Sequence, residues 1–161
     1  MAGAYRRWYG ARPVAEGTRY FEDLEVGQEL WSPEVVADRD DLIAYGRRYD
    51  PWPFHWDEEA AAQTPFGGVI ASGGYTISLW YLTGHLLEVA PVAFLGGLDW
   101  HVKFAAPLRP GDRLRQRNVV LEKRPSSKPG RGVVRSQIDL LNQDGALVLG
   151  IDVVWLIATR P

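Results

Sequence analysis

Apolar and polar residues alternate along the C-terminal half of the chain. Between residues 94 and 105 the alternation has a period of two, which is typical of a strand with one buried face. Three further strand-like segments span residues 113–123, 132–142 and 146–158. The last two flank the Asn-Gln-Asp-Gly sequence at 142–145, which favours a hairpin turn. The pattern therefore predicts four long antiparallel strands.

The middle of the chain has helical spacing instead. A short helix is predicted after Asp38, which with Asp40 is a candidate N-cap, and two prolines require it to end near Asp50. A second short helix is predicted over residues 57–62, and its first residue, an aspartate, is expected to cap it. A long uncharged helix is predicted over residues 72–87.

The order of these elements predicts a fold class. Residues 28–37 are strand-like at both ends, and Pro33 makes this segment an edge or bulged strand. A strand, then helices, then four strands predicts an α+β domain with the long helix covering one face of the sheet. Residues 1–18 are interrupted by glycine and proline and predict an N-terminal arm, which leaves 19–161 as a single domain.

Composition excludes several kinds of function. The 161 residues carry 18 basic and 20 acidic side chains, and this balance argues against a nucleic-acid partner. There is no cysteine, so thiol nucleophiles and cysteine-based zinc sites are excluded. The N-terminus lacks the apolar run of a secretory signal, so we expect a cytoplasmic protein. The uncharged stretch 60–87 contains proline and paired glycines, which argues against a membrane span.

One segment combines groups that can move a proton. His55 follows Asp50 by five residues, and the intervening prolines restrict the backbone, so the pair can be positioned in advance. Gly68 allows close approach of a ligand to the backbone. Ser72 and Gly73 open the long helix, whose free N–H groups can stabilise an oxyanion. Together these are the parts needed for enolate chemistry beside a carbonyl.

The sequence of residues 49–78 resembles the MaoC-like dehydratases, also called (R)-specific enoyl-CoA hydratases, which have the hot-dog fold. The matching positions are Asp50, Pro53, His55, Asp57, Phe66, Gly67, Ile70, Ala71 and Gly73. Two positions depart from the family pattern, because Trp52 replaces the usual asparagine and Ser72 stands where histidine often precedes the glycine. Both departures are expected to narrow or reshape the pocket.

The resemblance implies a single hot-dog domain and a lyase of fatty acid metabolism. Such an enzyme reversibly adds water to a trans-2-enoyl thioester, giving an (R)-3-hydroxyacyl thioester. The implied catalytic pair is Asp50 and His55, with the Gly73 N–H as oxyanion donor and Ser72 and Gly68 beside it. The implied pocket lining is Trp52, Phe66 and Ile70. The substrate would be an acyl-CoA or an acyl carrier protein thioester, no metal or cofactor is implied, and the protein is expected to form a homodimer.

Other interpretations remain open at this stage. Without the resemblance, Asp50 is better explained as a helix-ending residue and His55 as a structural histidine. Two rival functions are an acyl-CoA thioesterase and a non-catalytic acyl-binding subunit whose pocket Trp52 has closed. The basic segment 123–131 is either a site for coenzyme A phosphates or a solvated hairpin loop, and we favour the loop. His85 and His101 are expected to be structural or surface residues.

Overall fold

The computed structural model of this protein describes residues 17–87 and 91–161. Its strands are β1 (Glu29–Trp31), β2 (Val35–Val36), β3 (Phe94–Phe104), β4 (Arg113–Pro125), β5 (Arg131–Leu141) and β6 (Leu147–Ala158). Its α-helices are α1 (Arg39–Tyr49), α2 (Glu58–Ala62) and α3 (Gly73–His85). Two short 3₁₀ helices span Phe21–Asp23 and Pro53–His55.

The strands form one antiparallel sheet in the order β1-β4-β5-β6-β3, with β2 also paired to β4. The predicted four long strands are confirmed. The hairpin between β5 and β6 is confirmed as well, since the side chain of Asn142 accepts from the backbone N–H groups of Asp144 and Ala146. Gly145 has a φ of 74°, a conformation that glycine adopts without steric cost.

Helix α3 packs on the inner face of this sheet, and the main core lies between them. Its buried residues Tyr75, Leu79 and Trp80 belong to one apolar cluster with inward-facing strand residues. Those strand residues include Leu114, Ile138, Leu140, Leu149, Ile151 and Val153. The α+β class is therefore confirmed, with a curved sheet wrapped around a central helix as in a hot-dog domain.

Several element boundaries differ from the sequence prediction, and two of the differences have a clear place in the fold. The predicted strand 28–37 is split into β1 and β2 around Pro33, because proline has no N–H to donate to the ladder with β4. Helix α3 ends at His85, two residues earlier than predicted. Among the described residues, 17–87 and 91–161, no helix is both long enough and apolar enough to span a membrane.

A second apolar cluster covers the far end of the sheet, beyond the end of α3. It contains Phe21 and Leu24 from the start of the described chain and Val120, Val134 and Ile157 from three strands. The Lys123 Nζ donates to the Phe21 and Leu24 carbonyls at 2.8 and 2.7 Å, so this lysine of the basic segment has a structural role. Residues 1–16 of the expected N-terminal arm lie outside the described residues, and the arm stays a prediction.

Candidate active site

Asp50 lies at the point where α1 ends. Asp38 caps the start of the helix by accepting from the N–H groups of Asp40 and Asp41. At the other end, the Asp50 N–H donates to the Gly46 carbonyl at 3.0 Å, so its backbone terminates the helix. The Asp50 carboxylate takes no part in this cap and remains 37% exposed. Its Oδ2 lies 3.3 Å from Nε2 of His55.

His55 is the last residue of the 3₁₀ helix Pro53–His55 and is buried, with 6% exposure. Its Nδ1 lies 2.8 Å from the Ile70 carbonyl oxygen, and the Ile70 N–H donates to the Phe54 carbonyl at 3.2 Å. Gly46 of α1 packs directly on His55, because a Cβ at this glycine would lie 2.9 Å from the His55 Cβ. Three separate segments therefore fix the imidazole.

The contact with Ile70 determines how His55 is protonated. A carbonyl oxygen only accepts, so Nδ1 must carry the proton that it donates to Ile70. In the neutral imidazole, Nε2 then presents its lone pair toward Asp50. An ionised carboxylate also only accepts, so the two groups together can bind a water molecule that donates one hydrogen to each. This is the arrangement that a proton-transferring pair requires.

The loop before α3 is held beside this pair. Gly67 has a φ of +65°, in the left-handed region that favours glycine. The Arg109 guanidinium donates to the Phe66 carbonyl at 2.7 Å, and its Nη1 would lie 3.7 Å from a Cβ placed on Gly68. The Ala71 N–H donates to the Leu108 carbonyl at 2.8 Å. The turn around Arg109 thus anchors the predicted substrate-binding loop.

The N-terminus of α3 is built from Ser72 and Gly73. Ser72 is 1% exposed, and its hydroxyl accepts from the Tyr75 N–H at 3.2 Å, which makes it the N-cap. The Gly73 N–H donates to no group in the described part of the chain, as is usual for the first residue of a helix. A Cβ on Gly73 would lie 2.9 Å from the Phe104 ring. A Cβ on Gly74 would contact the Tyr45 hydroxyl.

The predicted pocket-lining residues fall into two environments. Trp52 is 64% exposed and stacks on Phe54, with 6.2 Å between the ring centroids. The ring centroids of Phe54 and Phe66 are 5.8 Å apart. The three rings therefore form an aromatic row next to His55. Ile70 is buried and contributes its carbonyl to His55. Asp57 caps α2 by accepting from the Ala60 N–H at 3.0 Å, as predicted.

Sequence reasoning missed three contributions to the site. The contact from His55 is made by the backbone carbonyl of Ile70. Every residue type has this group, so the amino-acid sequence does not indicate the contact. Tyr45 of α1 and Phe104 of β3 both contact the first turn of α3. In the chain, α1 precedes α3 and β3 follows it. The alternating pattern that predicts β3 places Phe104 on one face of a strand, but it does not indicate the contact with Gly73.

A large cavity of the described chain lies elsewhere, with a volume of about 900 Å³ at the C-terminal end of α3. Trp80, Tyr81 and Gly84 from the second half of the helix border this cavity. Gly73 and Gly84 are eleven positions apart, which corresponds to about 17 Å along the helix axis. Neither Asp50 nor His55 is among the lining residues.

Comparisons with known proteins place this chain in a family. Residues 23–140 match the family model described as MaoC like domain. A curated 3-hydroxybutyryl-CoA dehydratase from Methylorubrum extorquens is 34% identical over 114 residues, which cover 70% of either chain. The crystal structure of the MaoC-like dehydratase from Rhodospirillum rubrum superposes with a TM-score of 0.79 at 34% identity, covering 88% of this chain and 98% of that one.

A hydratase of known structure is also similar. The R-hydratase PhaJ1 from Pseudomonas aeruginosa superposes with a TM-score of 0.69 at 28% identity, covering 89% of this chain and 88% of that chain. The matched family model covers well over half of the chain and includes the Asp50–His55 pair, the loop and all of α3. The chain therefore belongs to the MaoC-like domain family.

Proposed function

We propose that this protein reversibly hydrates trans-2-enoyl thioesters to (R)-3-hydroxyacyl thioesters, with Asp50 and His55 as its catalytic residues. The observation that carries the proposal is the 3.3 Å approach of Asp50 Oδ2 to a His55 Nε2 whose other ring nitrogen is bound to Ile70. The similarity to a 3-hydroxybutyryl-CoA dehydratase and to an R-hydratase supports the same reaction class.

In the hydration direction, one water molecule lies between Asp50 and His55 and donates a hydrogen to each acceptor. Its oxygen attacks C3 of the enoyl group while one of its protons passes to the pair. The C2–C3 π electrons move toward the thioester carbonyl, giving an enolate, and the pair then returns the proton to C2. One oxygen–hydrogen bond breaks, one carbon–oxygen bond and one carbon–hydrogen bond form, and Asp50 and His55 end as they began.

The enolate oxygen needs hydrogen-bond donors while it carries negative charge. The Gly73 N–H is free of partners in the described part of the chain and sits at the positive end of the thirteen-residue helix α3. Ser72 supports this donor by capping the helix. Such preorganised donors typically contribute about 10²–10³ in rate.

The rival functions have less support from the side-chain arrangement. Trp52 is mostly exposed and stacks on Phe54, so it is not packed into the interior as a side chain that closes a pocket would be. Thioester hydrolysis would need a water molecule directed at the carbonyl carbon. Two acceptors that share one water molecule, as proposed for Asp50 and His55, suit addition of that water at C3. A direct assay distinguishes all three functions.

The assay follows the absorbance of the conjugated thioester and free coenzyme A thiol, using trans-2-enoyl-CoA substrates of several chain lengths. We expect loss of the conjugated absorbance without thiol release. Release of thiol would support the thioesterase, and absence of either change at every chain length would contradict both enzymatic functions.

Variants then test the proposed residues. Asp50→Asn and His55→Gln should each lower kcat at least about 10²-fold, the usual contribution of an acid–base group, with an unchanged circular dichroism spectrum. The matched control is Asp144→Asn in the β5–β6 turn. Full activity of either Asp50→Asn or His55→Gln would refute the assigned mechanism.

We also propose that the protein is a homodimer joined through β3. This strand pairs only with β6 among the described strands, so its other edge carries unpaired backbone groups. Large apolar side chains on it are exposed, including Leu98 at 57% and Trp100 at 42%. A second copy paired edge to edge would satisfy that backbone and cover those side chains.

A further inference from the structure

Helix α3 is shorter than the sheet on which it packs, and the difference leaves a gap. The main core lies under the helix, and the second apolar cluster lies under the far end of the strands. The cavity of about 900 Å³ opens between them and is bordered by Trp80 of the first cluster and by Leu24 and Val120 of the second. We call this space, between the end of α3 and the second cluster, the far cavity.

Most of the far cavity is apolar, with aromatic walls from Trp80, Tyr81, Trp100 and Trp155. Outside the aromatic walls, four side chains bring polar groups to it: Gln116 and Asn118 from β4, Ser136 from β5, and His85 at the end of α3. No described residue that lines it is a lysine, arginine, aspartate or glutamate. His85 is exposed, whereas Gln116 and Ser136 are buried. A charged ligand group beside those two buried residues would lose its hydration without gaining an ionic partner, so this part of the cavity favours neutral ligand groups.

Gln116 is 1% exposed and has an unused hydrogen-bonding group. Its Oε1 lies 2.8 Å from the Thr83 hydroxyl, whereas its side-chain nitrogen has no partner within the described chain. Thr83 has one proton and is also within 3.0 Å of two α3 carbonyls, so the amide can equally present its NH₂ to this hydroxyl. Either orientation leaves one polar atom of Gln116 facing the cavity.

The other two polar groups on the strands extend this position into a stripe. The Oδ1 of Asn118 is buried without a partner, and the Ser136 hydroxyl, on a residue only 2% exposed, makes no hydrogen bond to any described residue. Asn118 is two positions from Gln116 on the same face of β4. Because Ser136 pairs with Val120, it lies diagonal to Asn118 across the two strands, about 7–8 Å away.

Buried polar groups normally have partners, so three unused ones on an apolar wall need an explanation. We propose that the far cavity binds an apolar molecule or acyl tail that carries one neutral hydroxyl group, which donates to an acceptor of the polar stripe formed by Gln116, Asn118 and Ser136. The apolar body packs against the tryptophans. The proposal rests on the cavity and its polar stripe, so it stands whether or not the protein hydrates thioesters.

A matched pair of probes tests the polar recognition directly. 2-Naphthol and naphthalene differ in one hydroxyl, and their binding to the full-length protein can be compared by calorimetry. We expect 2-naphthol to bind roughly five- to tenfold more tightly, which is the contribution of about one buried hydrogen bond. Equal affinities, or no binding of either probe, would overturn the proposal and leave water as the occupant of the polar stripe.

Three variants locate the effect. Gln116→Leu should abolish the preference for 2-naphthol while keeping naphthalene binding, and Ser136→Ala offers the same test if the first variant does not fold. Gly84→Leu should block both probes, because a Cβ at this position already lies 3.7 Å from Gln116 and the added side chain extends into the cavity. Gln137→Leu, on the opposite face of β5, is the control and should leave both affinities unchanged. A preference that survives Gln116→Leu, or is lost in Gln137→Leu, would contradict the assignment.

A kinetic comparison then identifies the source of the ligand. If the ligand is the substrate's own tail, Gln116→Leu should raise KM for an enoyl thioester with a terminal hydroxyl and not for one with a plain chain of equal length. An unchanged KM for both, together with the loss of 2-naphthol preference, identifies a separate small molecule. Because binding is measured without turnover, failure of the hydratase proposal and failure of this one give different results.

Discussion

The imidazole of His55 donates from Nδ1 to the Ile70 carbonyl, 2.8 Å away, and so turns its Nε2 toward Asp50. A backbone carbonyl in the segment leading into α3 therefore selects the tautomer of the proposed base. Because Ile70 precedes the first residue of α3 by only three positions, the same segment links the base to the N-terminus of the helix. The proposed base and the proposed oxyanion donor are thus joined through a short piece of chain.

The close packing of Gly46 on His55 predicts that this glycine is needed for activity. In Gly46→Ala the new Cβ would lie 2.9 Å from the His55 Cβ and 3.0 Å from its carbonyl, so the imidazole must shift. We expect kcat to fall at least about tenfold, since small misplacements of catalytic groups are costly. The free energy of unfolding should not increase, although alanine has the higher helix propensity.

Gly84→Ala is the matched comparison, because an added Cβ there makes only ordinary contacts at 3.7 and 3.9 Å with the Gln116 amide. This variant should stabilise the protein by about 0.5–1 kcal/mol in urea unfolding. If Gly46→Ala were stabilised to a similar degree and kept its full kcat, the close contact with His55 would not limit the position of the imidazole.

The contact between Gly73 and Phe104 predicts a steric rescue. Gly73→Ala places a Cβ 2.9 Å from the Phe104 ring, so either the ring or the start of the helix must move. We expect a fall in kcat of about 10–10²-fold if the Gly73 N–H is an oxyanion donor. The double variant Gly73→Ala/Phe104→Ala should recover part of that loss. No recovery, with Phe104→Ala itself fully active, would exclude the clash as the cause.

The cap at Ser72 predicts a measurable loss of stability. Its hydroxyl accepts from the Tyr75 N–H, so Ser72→Ala should lower the free energy of unfolding by about 1 kcal/mol. Ser72→Gly should cost only a few tenths, because glycine is tolerated at N-caps. Both can be measured by urea denaturation. Equal costs for the two variants would indicate that the hydroxyl contributes by a contact other than the cap.

The exposed edge of β3 predicts a dimer that one charge can break. Leu98→Lys introduces a charge among apolar side chains, so light scattering should give a mass near 18.1 kDa instead of twice that value. Leu121→Lys on β4 is the control, since this leucine is also partly exposed but lies on a different strand. A monomeric wild-type protein, or dissociation only in the control, would refute the proposed interface.

The ion pair between Arg135 and Asp152 predicts part of the acid sensitivity. Hydrogen bonds from Arg135, at 2.9 and 3.1 Å from its Nε, hold the pKa of Asp152 below the usual 3.8, and the neighbouring His101 lowers this pKa further. A carboxyl whose pKa is depressed on folding stabilises the protein above its unfolded pKa and loses that contribution as the pH falls through the folded value. The loss should therefore occur below pH 3.8.

This dependence can be measured from urea unfolding at a series of acidic pH values. Asp152→Asn should have a flatter pH profile than wild type in that range. Asp144→Asn, which removes a carboxylate with no ion pair among the described residues, should keep the wild-type slope. Identical slopes for wild type and Asp152→Asn would show that this pair does not contribute.

Much of the fold follows from local sequence patterns. The period of two predicted β3, strand-like segments and a hairpin sequence predicted β4 to β6, and the aspartates at 38 and 57 predicted two helix starts. Alternation, turns and capping depend on neighbours within a few residues. The split at Pro33 was anticipated as a bulge, whereas the early end of α3 at His85 was not. The residue at which a helix ends depends on the tertiary contacts of its last turn. The local sequence does not specify those contacts.

The sequence by itself determined the α+β class, and its resemblance to a known family identified the Asp50–His55 pair, since both lie within one short segment of restricted backbone. Only the tertiary structure decided which nitrogen of His55 faces Asp50, that Phe104 and Tyr45 reach the start of α3, and that a cavity of about 900 Å³ lies at its other end. These features join residues that are distant in the chain. Their contacts are set by how the sheet curves around α3 and by where that helix stops, and neither is encoded in any local pattern.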